Sequence, residues 1–104
     1  MSFEKITPNN AEQLLQQGAN VIDVRDALSF QAAHIKGAQR IDNDNISQFM
    51  QSTSKEDPLL VYCFHGQSSQ GVASFFAQQG YLKVYSLEGG FEQWKLLYPD
   101  WVTA

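Results

Sequence analysis

The run Leu59-Leu60-Val61-Tyr62 leads straight into the chain's one cysteine, Cys63, and then into a glycine-bearing loop, Phe64-His65-Gly66-Gln67, followed by Ser68-Ser69. Successive apolar residues do not alternate between a wet and a dry face, so a strand made from them must be covered on both sides. A strand of that kind belongs at the centre of a parallel sheet between helices.

The surrounding sequence supports such an alternating α/β order, because turn residues punctuate a series of short elements. Thr7-Pro8 marks a helix start, with Leu14 and Leu15 as its buried stripe and Gly18 as a left-handed stop. Val21-Ile22-Asp23-Val24 reads as a strand. Phe30, Ala33 and Ile35 are placed on a short helix ending near His34, and residues 39–41 on a brief strand. Asn43 or Asp44 is expected to cap a helix carrying Ile46, Phe49 and Met50. Past the cysteine, residues 71–79 read as a helix with Val72, Phe75 and Phe76 inward and Gly80 ending it. Residues 83–86 form the last expected strand. Gly89-Gly90 is a tight turn before a final helix whose inner face carries Phe91, Trp94 and Leu97 or Tyr98.

With 104 residues, of which 43% are hydrophobic, the expectation is a single domain over 1–104 that folds on one apolar core. Seven basic against eleven acidic residues give a net charge of −4, with no block of one sign, which argues against nucleic acid as a main partner. No apolar run approaches the roughly 20 residues that span a bilayer, and residues 1–8 carry no signal-peptide pattern. A soluble, cytoplasmic protein without membrane insertion is expected. A lone cysteine excludes an internal disulfide, Cys-x-x-Cys redox chemistry and a cysteine-based zinc cluster. With His34 and His65 as the only imidazoles, no metal site is expected.

Cys63 is either a small hydrophobe that completes its strand or the centre of the function. Its position favours the second reading, since ligands of open α/β sheets bind beyond the carboxyl ends of the strands. A helix opening just after it aims backbone N–H groups at an anion and lowers a thiol's pKa. Phosphatase chemistry wants an arginine closing the loop, but Gln67, Ser68 and Ser69 stand there. A cysteine hydrolase needs a base, and His65 is only two residues away in sequence. Sulfur transfer asks for less, because sulfite leaves without a proton and loop amides stabilise the resulting persulfide.

Three blocks carry a resemblance to the rhodanese family. Val21-Ile22-Asp23-Val24-Arg25 with His34-Ile35-Lys36-Gly37-Ala38 resembles its amino-terminal signature. Leu60-Val61-Tyr62-Cys63 with Gly66 is similar to its active-site strand and loop, and residues 84–94, from Val84-Tyr85-Ser86 to Gln93-Trp94, to its carboxyl-terminal signature. The combination is nearest to the family's small single-domain thiosulfate sulfurtransferases. The resemblance implies a rhodanese-like α/β fold, a five-stranded parallel sheet flanked by helices on both faces. It implies Cys63 as nucleophile and a substrate cradle of Phe64, His65, Gly66, Gln67 and Ser68. It further implies thiosulfate as donor, cyanide or a dithiol protein such as thioredoxin as acceptor, a persulfide intermediate and no cofactor. A sulfur-relay carrier loaded by a protein persulfide and an inactive binding module are the alternatives.

Within that cradle Gly66 is expected to take a conformation closed to other residues, and Ser68 or Ser69 to cap the next helix while adding a hydroxyl donor. His65 either raises the local potential or is simply exposed, and Phe64 either walls the pocket or faces a partner. The loop carries no lysine or arginine, so a high Michaelis constant for thiosulfate is expected. Arg25 is expected to pair with an acid at the sheet end, His34 to satisfy backbone groups, and Trp101 to be a lid on the core or an exposed docking point.

Overall fold

A computed structural model describes residues 2–104; Met1, where the expected domain begins, lies outside the described residues. The main sheet has five strands: β1 (Glu4–Ile6), β2 (Asn20–Asp23), β4 (Gln39–Arg40), β5 (Leu59–Tyr62) and β6 (Val84–Leu87). They lie in the order β1-β6-β5-β2-β4 with every neighbouring pair parallel. The apolar strand β5 is therefore central, with β2 and β6 on its two sides. The strand order gives the five-stranded parallel sheet that the resemblance implies.

The reason for the uninterrupted apolar run is visible in the packing. Leu60 and Tyr62 enter one core with Ala11 and Leu15 of α1 (Pro8–Gln16) and Phe91 and Trp94 of α5 (Gly90–Leu97). Leu59 and Val61 enter the other, with Phe49 of α3 (Ile46–Ser52) and Ala73, Phe76 and Ala77 of α4 (Ser68–Gln78). Strand residues alternate faces, so each of the four meets helix whichever way it points. Truncating a residue such as Phe76, fully buried in the second core, is expected to cost about 3–5 kcal/mol. Among the described residues, no helix is long and apolar enough to cross a membrane.

Several local expectations are corrected. Ile35 is not helical: α2 (Ala27–Ala32) stops early, and β3 (His34–Ile35) pairs antiparallel with β7 (Val102–Thr103). Neither β7 nor β1 was legible as a strand, since each is very short and is fixed by a distant partner. Helix α3 starts after Asn45 without a side-chain cap, and neither Asn43 nor Asp44 fills that role. Instead Asp42 Oδ1 accepts from the Asp44 and Asn45 amides at 2.9 and 3.3 Å, closing the preceding turn. Helix α4 begins at Ser68, three residues before the expected start. Its buried stripe is Ser69, Ala73, Phe76 and Ala77, a helical spacing that leaves Phe75 outside it and 38% exposed. In α5 the inner face is Phe91 and Trp94, continued by Tyr98, whereas Leu97 is exposed.

Trp101 is partly buried against the first core and donates from Nε1 to Glu12 at 3.2 Å, so it covers the core. His34 Nδ1 lies 2.7 Å from the Phe30 carbonyl, and its ring stacks on Phe30, a backbone-satisfying role as expected.

Candidate active site

Cys63 follows β5 at the carboxyl edge of the sheet, 2% exposed. Two amides donate to its sulfur, that of Gly66 at 3.2 Å and that of Ser69 at 3.3 Å, and the Ser69 hydroxyl oxygen lies 3.3 Å away, accepting from the thiol and able to donate to the thiolate. The residue before α4, Gln67, makes no side-chain cap. Helix N-termini leave amides without intrahelical partners, and here the cysteine sulfur takes the place of the missing cap. This explains why Ser68-Ser69-Gln70, which read as loop, belong to the helix: their first turn must present N–H groups to the sulfur.

Burial by itself pushes the Cys63 thiol up. The Ser69 hydroxyl and amide, with the Ser68 hydroxyl and the Gly66 amide, outweigh that and hold it below its ordinary value. The positive end of the α4 dipole acts in the same direction.

A second helix holds the loop from behind. At the N-terminus of α5, the Phe91 amide donates to the Cys63 carbonyl at 2.8 Å and the Glu92 amide to the Phe64 carbonyl at 3.1 Å. The loop carbonyls are thus turned to α5, and the loop amides are turned to Sγ. Such close backbone approach requires glycine. Gly66 has φ +91°, and a Cβ there would lie 2.9 Å from the Gly89 nitrogen; a Cβ at Gly90 would lie 2.6 Å from the His65 nitrogen. Gly89-Gly90, expected only as a tight turn, thus belongs to the site, and the paired glycines are its sequence signal.

Of the cradle residues anticipated from sequence, Gly66 is buried and supplies a donor to the sulfur. Phe64, His65, Gln67 and Ser68 are exposed around the rim. Among the described residues, no hydrogen bond joins the His65 or Gln67 side chain to Sγ. Ser69, fully buried, lies outside the five-residue cradle but is one of the two serines expected to add a hydroxyl; it makes two of the three contacts from within the helix rather than from the cap position.

Beside the loop, Asp23 and Arg25 form a buried ion pair at 2.7 Å, with Arg25 Nε also on both carboxylate oxygens and Nη2 on the Ala33 carbonyl. Burial draws the Arg25 guanidinium down, yet Asp23 raises it above its ordinary value overall. The guanidinium lies 4.3 Å from the Phe91 ring centre and 5.5 Å from that of Phe64. Arg25 therefore fastens the loop to β2 and α5 and is committed to Asp23. Burial, then Asp23, pushes the neighbouring Tyr62 phenol well above its usual range, so it stays neutral, and its oxygen accepts from the Ile35 amide at 3.1 Å.

Comparison with known proteins gives consistent matches. A family model described as the rhodanese-like domain matches residues 7–97. The chain is 47% identical over 98 residues to the thiosulfate sulfurtransferase GlpE of Pseudomonas aeruginosa (strain LESB58), covering 94% of this chain and 89% of that protein. It is 46% identical over 102 residues to the thiosulfate sulfurtransferase GlpE of Pseudomonas fluorescens (strain SBW25), covering 98% of this chain and 94% of that one. Among solved structures, the reduced CoADR-RHD of Bacillus anthracis superposes with a TM-score of 0.82 at 19% identity, covering 98% of this chain and 18% of that one. A rhodanese-related protein from Thermoplasma volcanium gives a TM-score of 0.77 at 21% identity, covering 91% of this chain and 93% of that one.

Proposed function

The chain belongs to the rhodanese-like domain family, and from that membership we propose that it is a thiosulfate sulfurtransferase in which Cys63 carries the transferred sulfur. The observation that carries this reading is the set of two amides and one hydroxyl within 3.3 Å of one buried sulfur. It is supported by the 47% identity to a protein named thiosulfate sulfurtransferase.

The Cys63 thiolate attacks the outer sulfur of thiosulfate. A new S–S bond forms, the sulfur–sulfur bond of thiosulfate breaks with its electron pair, and sulfite departs without needing a proton. The enzyme is left as Cys63–S–S⁻, and the donors that hold the thiolate suit this second anion as well. In the second half, cyanide or a dithiol such as thioredoxin takes the outer sulfur. The electron pair of the breaking S–S bond returns to Cys63 Sγ, which is left as the thiolate that began the cycle, and with cyanide the outer sulfur leaves as thiocyanate with no proton needed. The two halves give double-displacement kinetics and need no resident cofactor. Gly66 shapes the loop, Ser68 and the exposed Phe64, His65 and Gln67 rim the mouth where donor and acceptor arrive, and a cytoplasmic setting suits a thiol kept reduced.

The test is to incubate reduced protein with thiosulfate and measure intact mass and released sulfite, with Cys63→Ser alongside. One added sulfur with matching sulfite, absent in the variant, is the expected result. No added sulfur at saturating thiosulfate removes thiosulfate as donor and leaves a protein-loaded carrier or an inactive module.

A further inference from the structure

The buried polar or charged residues of the described chain are Asp23, Arg25, Ser69 and Ser86. Asp23 and Arg25 answer each other. Ser69 and Ser86 form the second pair, their hydroxyl oxygens 2.8 Å apart and 0% and 1% exposed. Ser86 sits on β6 between residues that serve the hydrophobic cores, level with Val61 of β5. A hydroxyl in such a strand costs free energy unless it is bonded, and among the described residues the Ser86 hydroxyl bonds only to Ser69. Ser69 Oγ in turn lies 3.3 Å from Cys63 Sγ.

Each hydroxyl has a single proton, and a thiolate only accepts. When Cys63 is anionic, Ser69 must spend its proton on the sulfur, and its oxygen is then left to accept from Ser86. The chain runs Ser86 to Ser69 to Sγ with every proton used. When Cys63 is protonated, S–H donates to Ser69, Ser69 donates to Ser86, and the chain runs the other way. Hydrogen bonds to an ionised acceptor are the stronger ones, so this reversal favours the anion.

We infer that Ser86 is a positioning residue for Cys63, turning the Ser69 proton toward the sulfur whenever the sulfur is negative. The inference deepens the sulfur-carrier reading and, for turnover, rests on it. Its effect falls on the thiolate as nucleophile and again in discharge, when the electron pair of the broken S–S bond returns to the atom that Ser69 faces. The other titratable or charged groups on the elements around Cys63 are His65 in its loop, Tyr62 on β5, Asp23 on β2 with Arg25 just after it, Tyr85 on β6 with Glu88 just after it, and Glu92 with Lys95 on α5; α4 has none.

The experiment is the pH dependence of Cys63 alkylation by iodoacetamide in the full chain, for the wild type, Ser86→Ala, Ser69→Ala, the double variant and Ser86→Thr. This readout needs no sulfur donor, and sulfite release from thiosulfate is measured beside it, so failure of the donor assignment leaves the inference separately judged. The expected midpoint rises by about half a unit in Ser86→Ala and about one unit in Ser69→Ala, roughly three- and tenfold less thiolate below the midpoint. The double variant matches Ser69→Ala, because Ser86 acts through Ser69. Ser86→Thr keeps the hydroxyl and returns the midpoint toward wild type. A wild-type midpoint in Ser86→Ala, even with a lowered Tm, overturns the inference, as does a double-variant shift equal to the sum of the two single shifts.

Discussion

The amide of Phe91 donates to the carbonyl of Cys63 at 2.8 Å, so the helix that follows β6 grips the backbone of the residue whose sulfur caps the helix that follows β5. Two helix N-termini thus meet at one residue, one on its carbonyl and one on its side chain.

Gly90→Ala is expected to break this grip, since a Cβ there meets the backbone of Phe64 and His65 and φ is +60°. The left-handed conformation alone costs about 1–2 kcal/mol, and the clash adds to it. Urea unfolding is expected to show that loss, with sulfur loading reduced at least about tenfold because the loop amides lose their aim at Sγ. Unchanged stability and loading would refute the close approach at this position.

The depressed Cys63 pKa sets a pH dependence. Loading from thiosulfate is expected to rise with pH through a midpoint below that of an ordinary thiol and to level off above it. The same shift links to stability with a defined sign: the folded state favours the thiolate, so the contribution is present above the unfolded thiol's pKa and is lost as pH falls through the folded one. A loading midpoint at or above the ordinary value would contradict the donor geometry.

Asp23→Asn leaves Arg25 buried, 6% exposed, with its charge unanswered. A loss of about 3–5 kcal/mol is expected, read by denaturant midpoint. Replacing both partners by apolar residues, as in Asp23→Leu with Arg25→Met, is expected to recover most of it, because neither charge then remains to be desolvated. A loss below about 1 kcal/mol in Asp23→Asn would place the pair among weak surface bridges.

Thiosulfate affinity is expected to be low. The loop carries no lysine or arginine, Arg25 is committed to Asp23, and Arg40 is bound to Asp42 at 2.7 Å. Amides and a helix dipole must do most of the attracting, so the Michaelis constant is expected near or above about 1 mM, the upper end of the common range. A low-micromolar constant in steady-state assays would show that a cation reaches the donor.

The sequence by itself determined the central strand, the placement of the lone thiol at its carboxyl end and the left-handed glycines, because each follows from short-range rules: face alternation, strand-to-loop order and φ restriction. It also carried the family signatures through which the fold and the sulfurtransferase relationship were legible. It left open which of Ser68 and Ser69 meets the sulfur, and it did not reveal that Ser86 stands behind Ser69 or that Gly90 clears space for the Phe64 backbone. Nor did it show β1 and β7, which are strands only through their partners β6 and β3. Those facts were decided by tertiary structure, since Ser69 and Ser86 are 17 positions apart and a hydroxyl's role is set by the acceptor that folding brings within reach.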